Sequence, residues 1–328
     1  MGIKSYSVLE VDRADITLAS RKGTRAHALR GVSFRLERGG SLAVVGESGS
    51  GKTTLLRTVL GLIPMDSGSI TLLGKKLDKC SSSELIELRR QCGFIPQDPY
   101  GCLPPTLRVI DAVTEPFLIA RGRKMKDEAV SKAENLLEEL GLGNERIKAS
   151  KLRSGLSGGQ RQRVSVARAL ILGPKILLAD EPTSMQDTST RGDIIDILRK
   201  RISDGMSLVF VTHDLLLARA AAERTLVLYG GMACEYGRSD VILEHPVHPY
   251  SMALLAALPR LGGHIETAPG TKEENRIQHE GCPFRGKCSL ADKRCRIIPP
   301  MLEIMGRKVA CWKASEQSGI QERINTCK

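Results

Sequence analysis

Aromatic side chains are scarce in this 328-residue chain: 5 Phe, 5 Tyr and a single Trp, or 3% in all. That scarcity argues against base-stacking nucleic-acid modules and carbohydrate platforms, which rely on ring faces. Long apolar runs are missing too. The longest candidate, Met252 to Leu258, falls far short of the roughly 20 residues a spanning helix needs. Met1 to Tyr6 carries no apolar core of a signal peptide, so the chain is expected to be soluble and cytosolic. Its 9 cysteines are then expected as thiols or metal ligands rather than disulfides. None of them forms the close C-x-x-C type of pair common in structural zinc sites.

What is present is enough to build a core. Hydrophobic residues make up 41% and charged residues 26%, with a net charge of +12 that calls for an anionic contact: nucleic acid, a membrane surface or phosphate. The length suits one large domain or two. Four short apolar runs read as buried parallel strands: Leu42 to Val45, Ile176 to Ala179, Leu208 to Val211 and Thr225 to Leu228. Helical patterns separate them, as in Asp127 to Leu140, where Val130, Ala133, Leu136, Leu137 and Leu140 recur at helical spacing. Strands alternating with helices imply an α/β fold with a mostly parallel sheet. Cys102 to Lys151 has no buried-strand run and reads as a helical insertion, and Gly262 to Gln278 reads as a polar linker.

Gly46-Glu47-Ser48-Gly49-Ser50-Gly51-Lys52-Thr53 follows the first strand and opens a helical segment at Thr54. It fits G-x-x-x-x-G-K-S/T in the context that pattern requires. Glycines let backbone N–H groups turn inward around phosphate, and the helix N-terminus adds its positive end. Lys52 can reach the β- and γ-phosphates of a nucleotide, and Thr53 can ligate Mg2+. The second strand ends in Asp180-Glu181, a carboxylate pair at the ligand edge of a parallel sheet. Asp180 is a candidate for the Mg2+ shell, and Glu181 for polarising a water in line with the γ-phosphate. The third strand ends at His213, which would face the same site.

Leu156-Ser157-Gly158-Gly159-Gln160-Arg161-Gln162-Arg163, taken with the two motifs above, closely resembles the signature of ABC-type ATPases. Gln97 is similar to that family's Q-loop glutamine, Ser184-Met185-Gln186-Asp187 stands at its D-loop, and His213 at its H-loop. The resemblance implies a P-loop NTPase with an antiparallel N-terminal β part, an ATPase core over 1–96 and 161–245, a helical subdomain over 97–160 and an extension over 246–328. It implies catalytic roles for Glu181, His213, Gln97 and Lys52. Gly46 to Thr54, Gln97, Asp180, Ser157, Gly158, Gly159, Gln160 and Asp187 would bind ATP, with Thr53, Gln97 and Asp180 on Mg2+. The Ser157–Gly159 nest would close on ATP held by a second ATPase subunit, a copy or a paralogue. Three features depart from the pattern: the D-loop carries Met185-Gln186, Pro96 stands where the family has Phe before the Q-loop glutamine, and no aromatic lies near Leu18 to stack on adenine, leaving Leu18 or His27 to pack there.

Gln97-Asp98-Pro99-Tyr100, the segment His245 to Leu255, and Gly281 to Cys311 resemble the oligopeptide, dipeptide and nickel importer subfamily. That resemblance implies two permease subunits in the membrane, an extracytoplasmic substrate-binding protein, and a place on the cytoplasmic face of the membrane. Cys282, Cys288, Cys295 and Cys311 are spaced C-x5-C-x6-C-x15-C. Four thiolates can complete a 4Fe-4S cluster or a tetrahedral zinc site. The subfamily points to the iron–sulfur cluster, with zinc or no metal as alternatives. Two other functions stay open on sequence: a soluble ABC ATPase acting on nucleic acid, or a regulatory iron–sulfur partner of a more active ATPase. From Pro246 onward the net charge is +5, leaving +7 for the rest. The excess is therefore spread rather than gathered in a nucleic-acid arm, and no nucleic-acid partner is expected.

Overall fold

The computed structural model describes residues 7–19, 25–152, 155–257 and 280–314. The linker read at Gly262 to Gln278 and Cys327 lie outside the described residues. Two compact units are present. The first comprises Met1–Leu9, Leu36–Ser41 and Leu72–Val211; the second comprises Glu10–Arg35, Leu42–Thr71 and Thr212–Lys328.

In the first unit Cys92–Ile95 pairs with Ile176–Asp180, which pairs with Ser207–Thr212, all parallel. Every residue of the last two strands is buried, which is why both read as unbroken apolar runs. Their shared register sets Ile95 opposite Ala179 and Asp180 opposite Val211, so the chain leaves these strands at one common edge.

The insertion between the first two of these strands is helical. Its helices Val109–Arg121 and Lys126–Glu139 pack on each other and on Gly158–Leu170. The helix expected over Asp127 to Leu140 buries Ala133, Leu136 and Leu137 as its period requires, with Ala129 fully buried and Val130 only partly. Pro116 lies inside Val109–Arg121. A proline has no N–H for the carbonyl four residues earlier, which frees the Ala112 oxygen. Arg168 of Gly158–Leu170 donates to that oxygen and pairs with Glu115 at 2.7 Å. A defect in one helix thus becomes a tie to the next.

In the second unit Ser41–Val45 pairs parallel with Arg224–Tyr229, and Met232–Arg238 returns antiparallel beside it. Arg25–Glu37, Ser7–Ala19 and Ser67–Leu72 hydrogen-bond in that order as a separate ribbon. Tyr236 Oη donates to Arg35 O at 2.7 Å and Arg30 N–H to Gly231 O at 2.8 Å, joining ribbon to sheet.

The residues after Pro246 extend this unit. Leu302–Ile304 and Arg307–Val309 form a hairpin whose turn, Met305-Gly306, has positive φ at both residues. Arg307–Val309 adds to the sheet by pairing with Met232–Arg238. A buried ion pair fastens the join. Glu235, 0% exposed, meets Arg307 at 3.3 Å and accepts the N–H groups of Val247 and His248. Burial pushes the Glu235 carboxyl above its ordinary range, and those donors and Arg307 pull it back.

Candidate functional site

The phosphate loop lies in the second unit. The chain leaves Ser41–Val45 at Gly46, where a Cβ would fall 2.1 Å from the Leu228 carbonyl oxygen. At Gly51, with φ 106°, a Cβ would fall 2.4 Å from the Ala28 carbonyl oxygen. Backbone packing and the left-handed turn thus require glycine at both positions. Gly51 is also the N-cap of Lys52–Val59, and no side chain caps that helix. Its first-turn N–H groups meet no side-chain competitor for an anion. The Lys52 ammonium is buried under the loop and donates to Gly46 O at 2.7 Å and Glu47 O at 2.8 Å. Glu47, Ser48 and Gly49 form the exposed rim, Ser50 is buried, and Thr53 and Thr54 are partly buried on the first helical turn.

His213 is exposed in the same unit, directly after Thr212. Asp214 fixes the turn by donating its N–H to Thr212 Oγ1 and accepting from Leu216 and Leu217. Of the candidates near adenine, Leu18 is exposed at a strand end and His27 Nε2 lies 2.6 Å from Asp15 Oδ1.

The other expected residues lie in the first unit. Asp180 is 2% exposed at the end of its strand. Glu181 follows with φ 48°, a left-handed conformation that is strained for a side chain of this size. Its N–H donates to Val211 O at 2.9 Å, and its carbonyl accepts from Ser184 N–H. Gln97 is exposed two residues beyond Ile95, at the same sheet edge. Parallel pairing thus brings Gln97, Asp180 and Glu181 to one edge.

Ser157 is the N-cap of Gly158–Leu170 within a full capping box. The Gln160 N–H donates to Ser157 Oγ at 3.2 Å, and Ser157 N–H donates to Gln160 Oε1 at 2.9 Å. Gly158 and Gly159 are partly buried, and a Cβ on Gly158 would meet Met185 and the Tyr100 hydroxyl at 3.6–3.8 Å. Gln186 is buried at the centre of this corner. It donates to Gly159 O at 2.7 Å and accepts from Thr190 at 3.0 Å and Arg163 at 3.4 Å. Asp187 is exposed as the N-cap of Thr188–Ser203 and makes no side-chain capping bond. Gln186 stood out in the sequence only as a departure at the D-loop; its hold on the signature helix left no sequence signal.

Cys282, Cys288, Cys295 and Cys311 are buried and line one cavity, together with His248, Phe284, Trp312 and Lys313. All four are free thiols. Burial pushes Cys282 up to about 12 and Cys311 up to about 11. Among the described residues no group of three or more His, Cys, Asp or Glu is placed to hold a metal ion. The four thiols share a cavity but are not gathered as a metal site, which supports neither the expected iron–sulfur cluster nor its zinc alternative.

A family model described as ABC transporter matches residues 29–184, and one described as oligopeptide/dipeptide transporter, C-terminal region, matches residues 234–295. A di/tripeptide transport ATP-binding protein, DppF of Pseudomonas aeruginosa, is 37% identical over 90% of this chain and 92% of its own length. The chain belongs to the ABC transporter ATP-binding proteins. Another relative of this ABC ATPase is the oligopeptide transport ATP-binding protein OppD of Salmonella typhimurium, 34% identical over 94% of this chain and 95% of its own. Among solved structures, a dimeric ATP-binding cassette in a post-hydrolysis state with ADP and phosphate superposes with TM-score 0.65 and 31% identity, over 70% of this chain and 98% of that one. The ABC ATPase therefore has the P-loop NTPase fold expected from its motifs. The matched families and relatives give no support to the nucleic-acid reading or to a purely regulatory subunit.

Proposed function

We propose that this ABC ATPase hydrolyses ATP to power uptake of oligopeptides, dipeptides or a related small solute. The observation that carries the reading is near-full-length similarity to di/tripeptide and oligopeptide transport ATP-binding proteins, joined to the matching C-terminal region. Its partners are a second ATPase subunit, two membrane-spanning permeases and an extracytoplasmic substrate-binding protein, with this chain docked peripherally at the cytoplasmic face. Among the described residues no helix is long and apolar enough to cross a membrane, so the path for solute belongs to other chains.

In this reading Gly46 to Thr54 hold the phosphates, and Lys52 exchanges loop carbonyls for β- and γ-phosphate oxygens. Thr53, Asp180 and Gln97 would hold Mg2+, which would supply charge neutralisation for the phosphates. Glu181 polarises the attacking water, and its strained backbone stands directly after the strand end. His213 contacts the γ-phosphate side. Ser157, Gly158, Gly159, Gln160 and Asp187 meet ATP bound to the second subunit. The division into a core over 1–96 and 161–245, a helical part over 97–160 and an extension over 246–328 belongs to the same proposal.

Glu181→Gln in the assembled transporter is expected to lower kcat for ATP by about 10²–10⁴-fold while MgATP still binds. Hydrolysis at the unaltered rate would remove Glu181 from this role. The four-thiol cavity is read as the seat of a 4Fe-4S cluster held by Cys282, Cys288, Cys295 and Cys311. Such a cluster would supply a structural or redox-sensing group, with Arg285, Lys287 and Lys313 offsetting its charge. Anaerobic purification with iron, sulfide and zinc analysis is expected to give iron and sulfide in equal amounts. Zinc alone, or no metal, would overturn this assignment.

A further inference from the structure

The segment His245 to Leu255 has no part in the chemistry just described, yet it touches the phosphate loop. Tyr250, on the helix Pro249–Ala256, is 1% exposed, and its hydroxyl oxygen accepts the Glu47 N–H at 2.9 Å. Glu47 is thereby gripped on both sides, because its carbonyl accepts from the Lys52 ammonium at 2.8 Å. The Glu47 amide points out of the loop toward Tyr250.

The tyrosine is itself held firmly. Its N–H donates to His248 Nδ1 at 3.0 Å. Its ring lies 4.4 Å from that of Tyr229 and 5.4 Å from that of Phe284, which stands between Cys282 and Cys288 in the chain. Lys287, beside Cys288, reaches the same loop residue: its ammonium is 3.9 Å from the Glu47 carboxylate and 5.9 Å from the Tyr229 ring centroid. Burial pushes the Tyr250 phenol well above its usual range, so it stays neutral and keeps its oxygen as an acceptor.

We propose that Tyr250 is a positioning residue of the nucleotide site, through which the C-terminal extension sets the shape of the phosphate loop. It rests on the nucleotide-binding reading of that loop. Loss of the hydroxyl strands the Glu47 N–H against an aromatic edge, where an unmade bond costs more than a made one contributes. The loop then pays that cost each time it closes on phosphate.

The test compares Tyr250→Phe with Tyr229→Phe in the full chain. Each removes one hydroxyl from the same aromatic cluster, but only the first removes the acceptor of the Glu47 N–H. Tyr250→Phe is expected to raise the Kd for MgATP about five- to tenfold, and the assembled transporter to show a matching rise in KM with kcat changed less than twofold. Hydrogen exchange of the loop amides should quicken in Tyr250→Phe alone. Wild-type affinity in Tyr250→Phe, or equal weakening in both variants, would overturn the proposal. If the unaltered chain failed to bind MgATP, the nucleotide-site reading itself would fall, which is a separate result.

Discussion

Two helix N-termini in this chain, Lys52–Val59 and Gly158–Leu170, carry the proposed phosphate contacts, and they are built differently. Lys52–Val59 starts from a left-handed glycine with no side-chain cap, and its lysine is folded over the loop. Gly158–Leu170 starts from a serine locked in a reciprocal capping box, with Gln186 fastened to its first turn. The first is shaped by backbone that tolerates no Cβ, and no side chain caps its helix. The second is satisfied within its own chain. An approaching phosphate must share or displace the Ser157–Gln160 bonds of the signature helix, whereas at the phosphate loop the Lys52 ammonium can turn from the Gly46 and Glu47 carbonyls. The loop is therefore suited to hold nucleotide by itself, and the signature to engage only when a second contact adds to its own.

This contrast can be broken by experiment. The largest effect is expected at the loop. Lys52→Ala should lower the ATPase rate by about 10²–10³-fold, as loss of one preorganised charge-stabilising donor does, and a nucleotide-binding assay should show the defect in the isolated chain. Gln186→Leu should leave nucleotide binding by the isolated chain intact. It should cost about 1 kcal/mol of stability by removing the bonds to its partly buried partners, read as a lower urea midpoint. Ser157→Ala should cost about 1 kcal/mol in the same measurement. Ser157→Gly should cost only a few tenths of a kcal/mol. If Ser157→Ala weakened nucleotide binding by the isolated chain as much as Lys52→Ala, the two N-termini would not divide the work in this way.

Legibility in the sequence followed the same line. The four buried strands could be read because burial on both faces leaves an unbroken apolar run, and each was observed within a residue or two. The phosphate loop could be read because its glycines answer local backbone demands. Ties between distant segments left no such trace. Pro116 reads as a helix breaker, and only the fold reveals that Arg168 takes up the freed carbonyl. Gln186 reads as a polar intruder until Gly159 O is found opposite it. Tyr250 sits 203 positions from Glu47, a separation no periodicity reports. The hairpin Leu302–Ile304 and Arg307–Val309 was missed because strands of three residues are too short to show alternation.

The buried pair Glu235 and Arg307 bears on how such a chain can be shortened. A polypeptide ending near Pro300 would keep every motif for nucleotide chemistry but leave buried Glu235 without its arginine, with the Val247 and His248 N–H groups as donors. Breaking a buried pair from one side costs about 3–5 kcal/mol, a large share of what holds a domain together. The carboxylate and its arginine must therefore be gained or lost together. A chain shortened before the hairpin should regain stability when Glu235 is replaced by an apolar residue of similar size.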